Sequence, residues 1–491
     1  MKSADSLSLS KETLISISAR ITLLLSGFIG IIYFARNIPP EELGTYFFVI
    51  AISQVSQQVV EGLSKAIKKR VSEVGVNPEG YFGFGLLANL IFFLFVLTLV
   101  SGAYIGGLDE LIDFPFEYLY WMTGIITTSG LFALASQMYA GIGYPGLSMW
   151  MNTIRNIGRV TIQILLIASG FGVIGLFSGY IISNIIMAII VFIISGIWPH
   201  LPSKRTIKRT ISFARWSIPN VLFQRFYSRV DVLLIGILVG GTAVSYYEVA
   251  LKLTTPAIFI SVSLGNVLVV KTSGLSSINE DAKSELQRAI GYAGLLSIPI
   301  FFGTIVVGKE LLVVTYGQTY ADAWPVLIGL GLFQVVNTYR IPFARFFDGI
   351  DNPRLNTGVN IVTISIHLFL AFYLGMRYEL IGIVVATIIA EGIRVSLYIF
   401  ISQRSYSETF SNTMVGHQII SGAIMFITIY IISSTGQPNL VTLSSVIVVG
   451  VLSYVLILFT LNHKFRNHVR IFCGTVTLLL QALSDRLLSS S

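Results

Sequence analysis

Stretches of predominantly apolar residues recur along this chain at the length needed to cross a bilayer, roughly 20 residues each. About fourteen are legible by that criterion, centred near residues 24, 55, 93, 128, 159, 184, 226, 257, 298, 334, 364, 391, 424 and 450. None shows the period-two alternation of a membrane barrel. Backbone groups in hydrocarbon must bond within their own segment, so each stretch predicts a helix. The pattern specifies an all-α polytopic membrane protein with about 14 transmembrane helices. The first stretch, Thr13–Ala35, is too long for a signal-peptide core and no small-residue cleavage site follows it, so it predicts a retained span. The connections are too short for folded domains; the largest, around Ser273–Gln287, is polar. The apolar part of Phe465–Ser491 is too short to span and reads as an interfacial helix.

The pattern also repeats. Tyr139-Ala-Gly-Ile-Gly-Tyr-Pro145 after span 4 matches Phe347-Asp-Gly-Ile-Asp-Asn-Pro353 after span 10, with the shared Gly and Pro 208 positions apart. Gly44-Thr-Tyr46 echoes Ser245-Tyr-Tyr247, and Gly172-Val-Ile-Gly175 echoes Glu379-Leu-Ile-Gly382. Each offset covers six spans, so the halves share one orientation, and parallel repeats place a substrate path between two bundles. The expected division is 1–200 for the first six spans and 201–408 for the second six. Residues 409–462 supply two additional spans, and 463–491 a cytoplasmic, interfacial tail.

Composition agrees. Apolar residues are 54% and charged residues 11% of the chain, against about 25% charged in a soluble domain. The exposed Lys and Arg cluster after even-numbered spans: Lys65, Lys68, Lys69 and Arg70 after span 2; Lys204, Arg205, Lys208 and Arg209 after span 6; Lys464, Arg466 and Arg470 after span 14. Odd-numbered connections hold only Arg36, Lys309 and Arg377, and one is acidic through Asp109, Glu110 and Asp113. The positive-inside rule then puts both termini in the cytoplasm and the protein in the cell membrane. The same placement accounts for the net charge of +8 without nucleic acid. The single cysteine, Cys473, excludes an internal disulfide and a cysteine-based metal cluster. There is no phosphate-binding Gly-Lys-Ser/Thr loop or paired-histidine metal motif, so neither an enzyme, a metal nor a cofactor is indicated.

Nine Lys/Arg residues nevertheless lie inside spans: Arg20, Arg155, Arg159, Arg215, Arg225, Arg229, Lys252, Arg340 and Arg394. Four acids share that depth: Glu61, Asp231, Glu248 and Glu391. A charge at bilayer depth costs at least a few kcal/mol and is rarely idle. The cationic excess predicts a water-filled interior that receives an anion.

Ala35-Arg-Asn-Ile-Pro-Pro-Glu-Glu-Leu-Gly-Thr-Tyr46 resembles the segment between spans 1 and 2 of polysaccharide flippases, the O-antigen-type members of the multidrug/oligosaccharidyl-lipid/polysaccharide exporter superfamily. Asp231-Val-Leu-Leu-Ile-Gly236 and Val244-Ser-Tyr-Tyr-Glu-Val-Ala-Leu-Lys-Leu253 resemble that family's span 7–8 stretch, with Ser245 in place of its usual Gly. The resemblance implies two six-helix bundles in a V-shaped arrangement plus two C-terminal helices, working by alternating access. It implies a polyprenyl-pyrophosphate-linked oligosaccharide as cargo, contact with membrane lipid, and room for association with glycan-assembly proteins.

Candidate residues follow. Asn152, Arg155, Asn156, Arg159 and Gln163 share one helical face, and guanidinium forks grip phosphate oxygens, so this stripe suits a pyrophosphate or an acidic partner. Arg225, near mid-membrane, and Arg229 continue the substrate-binding set. Arg20, which resembles a span 1 arginine of related lipid II flippases, binds cargo or pairs with Glu61. Arg340, near Asn337, is a further cavity candidate. Gln54, Gln57 and Gln58 offer amides to sugar hydroxyls or to neighbouring helices. Glu61 and Asp231 pair with arginines or take up a proton or Na⁺. Glu248 with Lys252, and Glu391 with Arg394, read as self-neutralising pairs. Pro256 and Pro299 are candidate kinks in spans 8 and 9. Two rivals remain: a multidrug or metabolite exporter of the same superfamily, which favours an acidic cavity, and a membrane glycosyltransferase, which needs a sizeable outer loop.

Overall fold

A computed structural model describes residues 22, 26–107, 117–278, 280–406, 413–433 and 439–467. All regular structure among them is helical. Among the described residues nine helices are long and apolar enough to cross a membrane, or ten if one bent pair counts as a span, which makes this a multi-pass membrane protein.

The described chain divides into two compact units, 1–249 and 250–491. The first holds α1 (Pro40–Ser56), α2 (Gln58–Val71), α3 (Pro78–Ile105), α4 (Glu117–Gly141), α5 (Pro145–Ala168), α6 (Gly172–Ser195) and α7 (Lys204–Leu238). α8 (Gly241–Thr254) crosses the division. Local signals set the helix starts. Pro40 opens α1 with Glu41 and Glu42 in its first turn, where the helix dipole favours acids. Asn77 caps α3 by accepting from the Glu79 amide at 3.0 Å, and Ser203 caps α7 through the Thr206 amide at 3.1 Å. α1 and α2 form the bent pair, turning by 41° at Gln57. The core below them joins Leu63, Ile67, Tyr81, Phe82, Leu134, Met138 and Ala214 from α2, α3, α4 and α7.

The division falls later than the expected 200/201 boundary because α7 packs closely along α1 and α2. A Cβ on Gly62 would lie 2.9 Å from the Ile218 Cα, and Ser217 donates to the Gly62 carbonyl at 3.0 Å. At the other end, Gly44 meets the backbone of Gly241.

The second unit holds α9 (Phe259–Ser277), α10 (Lys283–Ala293), α11 (Ser297–Tyr316), α12 (Trp324–Gly349), α13 (Pro353–Tyr406), α14 (Thr413–Ser433) and α15 (Leu440–Leu461). Pro256 breaks span 8 as a 3₁₀ turn, Thr255–Ile258, between α8 and α9. Span 9 is interrupted just before Pro299, between α10 and α11. Spans 11 and 12 run together as α13, which turns at Tyr378 and Glu379; Glu379 has φ 51°.

The matched segments of the two sequence halves share local geometry. Gly143 (φ 109°) and Asp351 (φ 58°) take the left-handed position in the two matched turns. Twelve residues apart in each case, Ser148 Oγ donates to the Ser136 carbonyl (3.1 Å) and Asn356 Nδ2 to the Ala344 carbonyl (2.8 Å), joining successive helices. Gly172 and Glu379 both have φ 51°, and Gly175 and Gly382 both lie on the preceding helix, at Leu166–Ile167 and at Leu374–Gly375. The sequence repeat is thus a structural one.

α5 and α7 are absent from the apolar set although they have 24 and 35 residues. Their polar residues lower their hydropathy, and these two helices supply most of the functional candidates.

Candidate functional site: a cationic cavity in the first unit

A cavity of about 550 Å³ lies within the first unit. α1 and α2 contribute Gln54, Gln57, Glu61 and Lys68; α4 contributes Ser129, Phe132 and Ser136; α5 contributes Asn152, Arg155, Asn156 and Arg159; α6 contributes Tyr180; α7 contributes Arg225 and Arg229. Five cations face one carboxylate. In the second unit, a cavity of about 310 Å³ is walled mainly by Leu, Ile, Val and Met, and one of about 580 Å³ carries Lys271 and Arg288, each paired with Glu285.

The 3.6-residue period of α5 projects Asn152, Arg155, Asn156 and Arg159 to one side. Arg155 Nη1 donates to Asn184 Oδ1 and Nη2 to Asn152 Oδ1, both at 2.7 Å. Its guanidinium lies 4.5 Å from the Phe132 ring centre, and that of Arg159 lies 4.9 Å from the Tyr180 ring centre. Ring faces stabilise and orient a cation without cancelling its charge. Among the described residues, neither arginine makes an ion pair, and neither Nε–H finds a hydrogen-bond acceptor.

Arg229 differs. Its Nη1 donates to Glu248 Oε1 and its Nε to Gln54 Oε1, each at 2.8 Å. Glu248 was expected to neutralise Lys252 on its own helix; its carboxylate instead reaches α7. Asp231, expected to pair with Arg229 or a neighbouring helix or to take up a proton or Na⁺, accepts from the Tyr247 hydroxyl at 2.8 Å. Glu61 pairs with Lys65 at 3.2 Å and accepts from Gln58 at 3.1 Å.

Two residues of the anticipated polar faces lie apart from the cavity lining. Gln58 is 2% exposed and also donates to the Gln54 carbonyl. Gln163 is 1% exposed and donates to Tyr46 Oη (3.0 Å) and the Leu176 carbonyl (2.7 Å), so it ties α5 to α1 and α6. Arg340 lies in the second unit, where Nε meets Glu391 Oε1 at 2.7 Å and Nη2 donates to Asn337 Oδ1 at 2.8 Å. Glu391 pairs with Arg394 at 3.2 Å, as its spacing predicted. Arg20 lies outside the described residues. Sequence reasoning missed Asn184, Tyr180 and Phe132, because a single amide and two aromatics on apolar helices carry no local signal.

A family model described as polysaccharide biosynthesis protein matches residues 147–325. A relative from Haloferax volcanii, a probable low-salt glycan biosynthesis flippase, Agl15, is 25% identical over 409 residues, covering 81% of this chain and 84% of its own. A probable flippase from the same organism, AglR, is 22% identical over 472 residues, covering 94% and 98%. The fold is similar to that of a lipid II flippase, MurJ, in an inward closed conformation, with a TM-score of 0.74 and 19% identity over 93% of this chain and 100% of that one. An inward-facing multidrug resistance transporter of the MATE family gives 0.60 and 14% identity over 80% and 99%. In sequence the chain is thus similar to proteins named as probable flippases, and in fold to a lipid II flippase and a multidrug resistance transporter, in line with the resemblance its own motifs carry.

Proposed function

We propose that this protein is a flippase that moves a polyprenyl-pyrophosphate-linked oligosaccharide from the cytoplasmic to the outer leaflet by alternating access. The observation that supports this most directly is the cavity with five cations and one acid, inside a chain whose relatives are named as flippases. Arg155, Arg159 and Arg225 hold the anionic linkage. Gln54, Gln57, Asn152 and Asn156 bond sugar hydroxyls, and the polyprenyl chain stays in lipid. The Lys/Arg distribution orients the protein with both termini in the cytoplasm of a cell membrane. Such a cavity repels the cationic drugs that an exporter would carry.

The test is translocation of a lipid-linked sugar in proteoliposomes. Arg225→Ala should abolish transport while membrane insertion persists. Arg225→Lys should recover only part of it, because an ammonium lacks the planar fork. Undiminished transport by Arg155→Ala, Arg159→Ala and Arg225→Ala, each checked for abundance, would refute the proposal.

A further inference from the structure

The structural repeat allows the polar centre of one unit to be compared with that of the other, position by position. In α6 and the second half of α13 the offset is 207, so Asn184 corresponds to Glu391 and Tyr180 to Thr387. In α4–α5 and their counterparts the offset is 208, so Arg159 corresponds to His367. One contact corresponds too, although Arg340 and Arg394 stand at the positions of Phe132 and Met187 rather than of Arg155. Arg159 lies over the Tyr180 ring, and His367 Nε2 lies 3.3 Å from Thr387 Oγ1. Asn184 receives Arg155, whereas Glu391 receives Arg340 and Arg394. Both acceptors are buried, at 0% and 4% exposure. One carboxylate thus neutralises cations in the second unit. At the equivalent position of the first unit an amide binds a cation without cancelling it.

The amide's orientation is fixed. Asn184 Nδ2 donates to Ser129 Oγ at 3.0 Å and to Thr128 Oγ1 at 3.3 Å, which turns Oδ1 toward Arg155. Arg155 is held in place by amides rather than by a carboxylate, with Arg159 one helical turn away.

We infer that Asn184 is the residue that determines the charge specificity of this transporter: an amide here, where the repeat counterpart is Glu391, leaves the Arg155–Arg159 pair free to bind an oxyanion. This rests on the cargo reading above and deepens it by assigning the phosphate-bearing end of the cargo to α5 and α6. A carboxylate at 184 supplies internally the negative charge that the cargo otherwise brings. Two opposite charges about 3 Å apart in a partly desolvated site attract far more strongly than in water, so a bound anion competes poorly with them.

The probe is farnesyl pyrophosphate, with farnesol as control, measured against the full-length protein in nanodiscs. Asn184→Asp should weaken pyrophosphate binding by about tenfold or more, the size of a 1.4 kcal/mol change or larger. It should melt no lower than the wild type, since it gains an ion pair like that of Glu391 and Arg394. Asn184→Ser, which adds no charge, should lose less affinity than Asn184→Asp, and Glu391→Gln, compared per folded protein because it breaks a buried pair, should lose none. Wild-type affinity in Asn184→Asp, or an equal loss in Glu391→Gln, overturns the inference; so does a wild type that moves lipid-linked sugar but binds no pyrophosphate probe. A wild type that shows the expected binding pattern but moves no lipid-linked sugar leaves the inference standing and removes the cargo reading instead.

Discussion

Arg229 donates to Glu248 at 2.8 Å and thereby ties α7 to α8 across the turn between them. The Glu248 side chain is only 5% exposed and that of Arg229 22%. Removing one partner of a buried pair leaves an uncompensated charge. Glu248→Ala should therefore lower stability by on the order of 3 kcal/mol, and Glu248→Ala with Arg229→Ala should recover part of it. Thermal unfolding of both variants in detergent checks this. A double variant no more stable than the single one would show that the pair is not what Glu248 supplies.

Gly44 and Gly241 meet so closely that a Cβ on Gly44 would overlap the Gly241 carbonyl oxygen. Neither backbone can yield as a flexible side chain would. Gly44→Ala should destabilise the first unit by about 1–3 kcal/mol, the usual range for overpacking. Gly158 is the control: a Cβ there meets nothing within 4 Å, so Gly158→Ala should leave the melting temperature unchanged or slightly raised. Equal melting of the Gly44→Ala variant and the wild type would refute the contact.

The helical class, most spans and the repeat were legible because each leaves a periodic or turn-forming signature: about 20 apolar residues per span, or a Gly-x-x-x-Pro turn. The arginines were legible because charge is rare in apolar helices. Partner choice was not. Glu248 has Lys252 one turn away in sequence, yet Arg229 lies within reach once α7 and α8 fold together. Gln163 shares the α5 periodicity of Arg159, but Tyr46 from α1 covers it. Asn184 becomes informative only when its contacts are set beside those of Glu391. These are consequences of tertiary packing, which one sequence does not display.

Glu73, beyond the end of α2, meets Arg70 at 2.8 Å and Arg209 at 2.6 Å and joins the base of α2 to α7. The hydrogen bond from Arg70 is the main cause holding its carboxyl below the usual range, with Arg209 adding to it. A carboxyl depressed in the folded state contributes stability above its unfolded value and loses it as pH falls through the folded value. The contribution should therefore be constant near neutrality and fade only below about pH 4, the ordinary carboxylate range. Glu73→Gln should flatten that part of a melting-temperature profile against pH. A wild-type profile that already declines between neutral pH and pH 5, with the decline removed by Glu73→Gln, would contradict the depressed value.

Glu61 and Asp231 are the acids for which neutralisation and ion coupling give opposite outcomes. Glu61 lines the cavity and pairs with Lys65; Asp231 accepts the Tyr247 hydroxyl. The ion pair with Lys65 favours neutralisation over ion coupling for Glu61. Asp231→Asn preserves an acceptor for Tyr247 and should fold and transport at a rate within a fewfold of the wild type. Glu61→Gln should lose transport, and removing the charge of Lys65 as well should restore part of it. Both variants should respond to an imposed proton or Na⁺ gradient as the wild type does. Lipid-linked sugar translocation in proteoliposomes, with and without each gradient, is the measurement. Gradient dependence in the wild type that vanishes in Asp231→Asn alone would make Asp231 a coupling site, and failure of the paired Glu61 and Lys65 variant to recover would assign that role to Glu61.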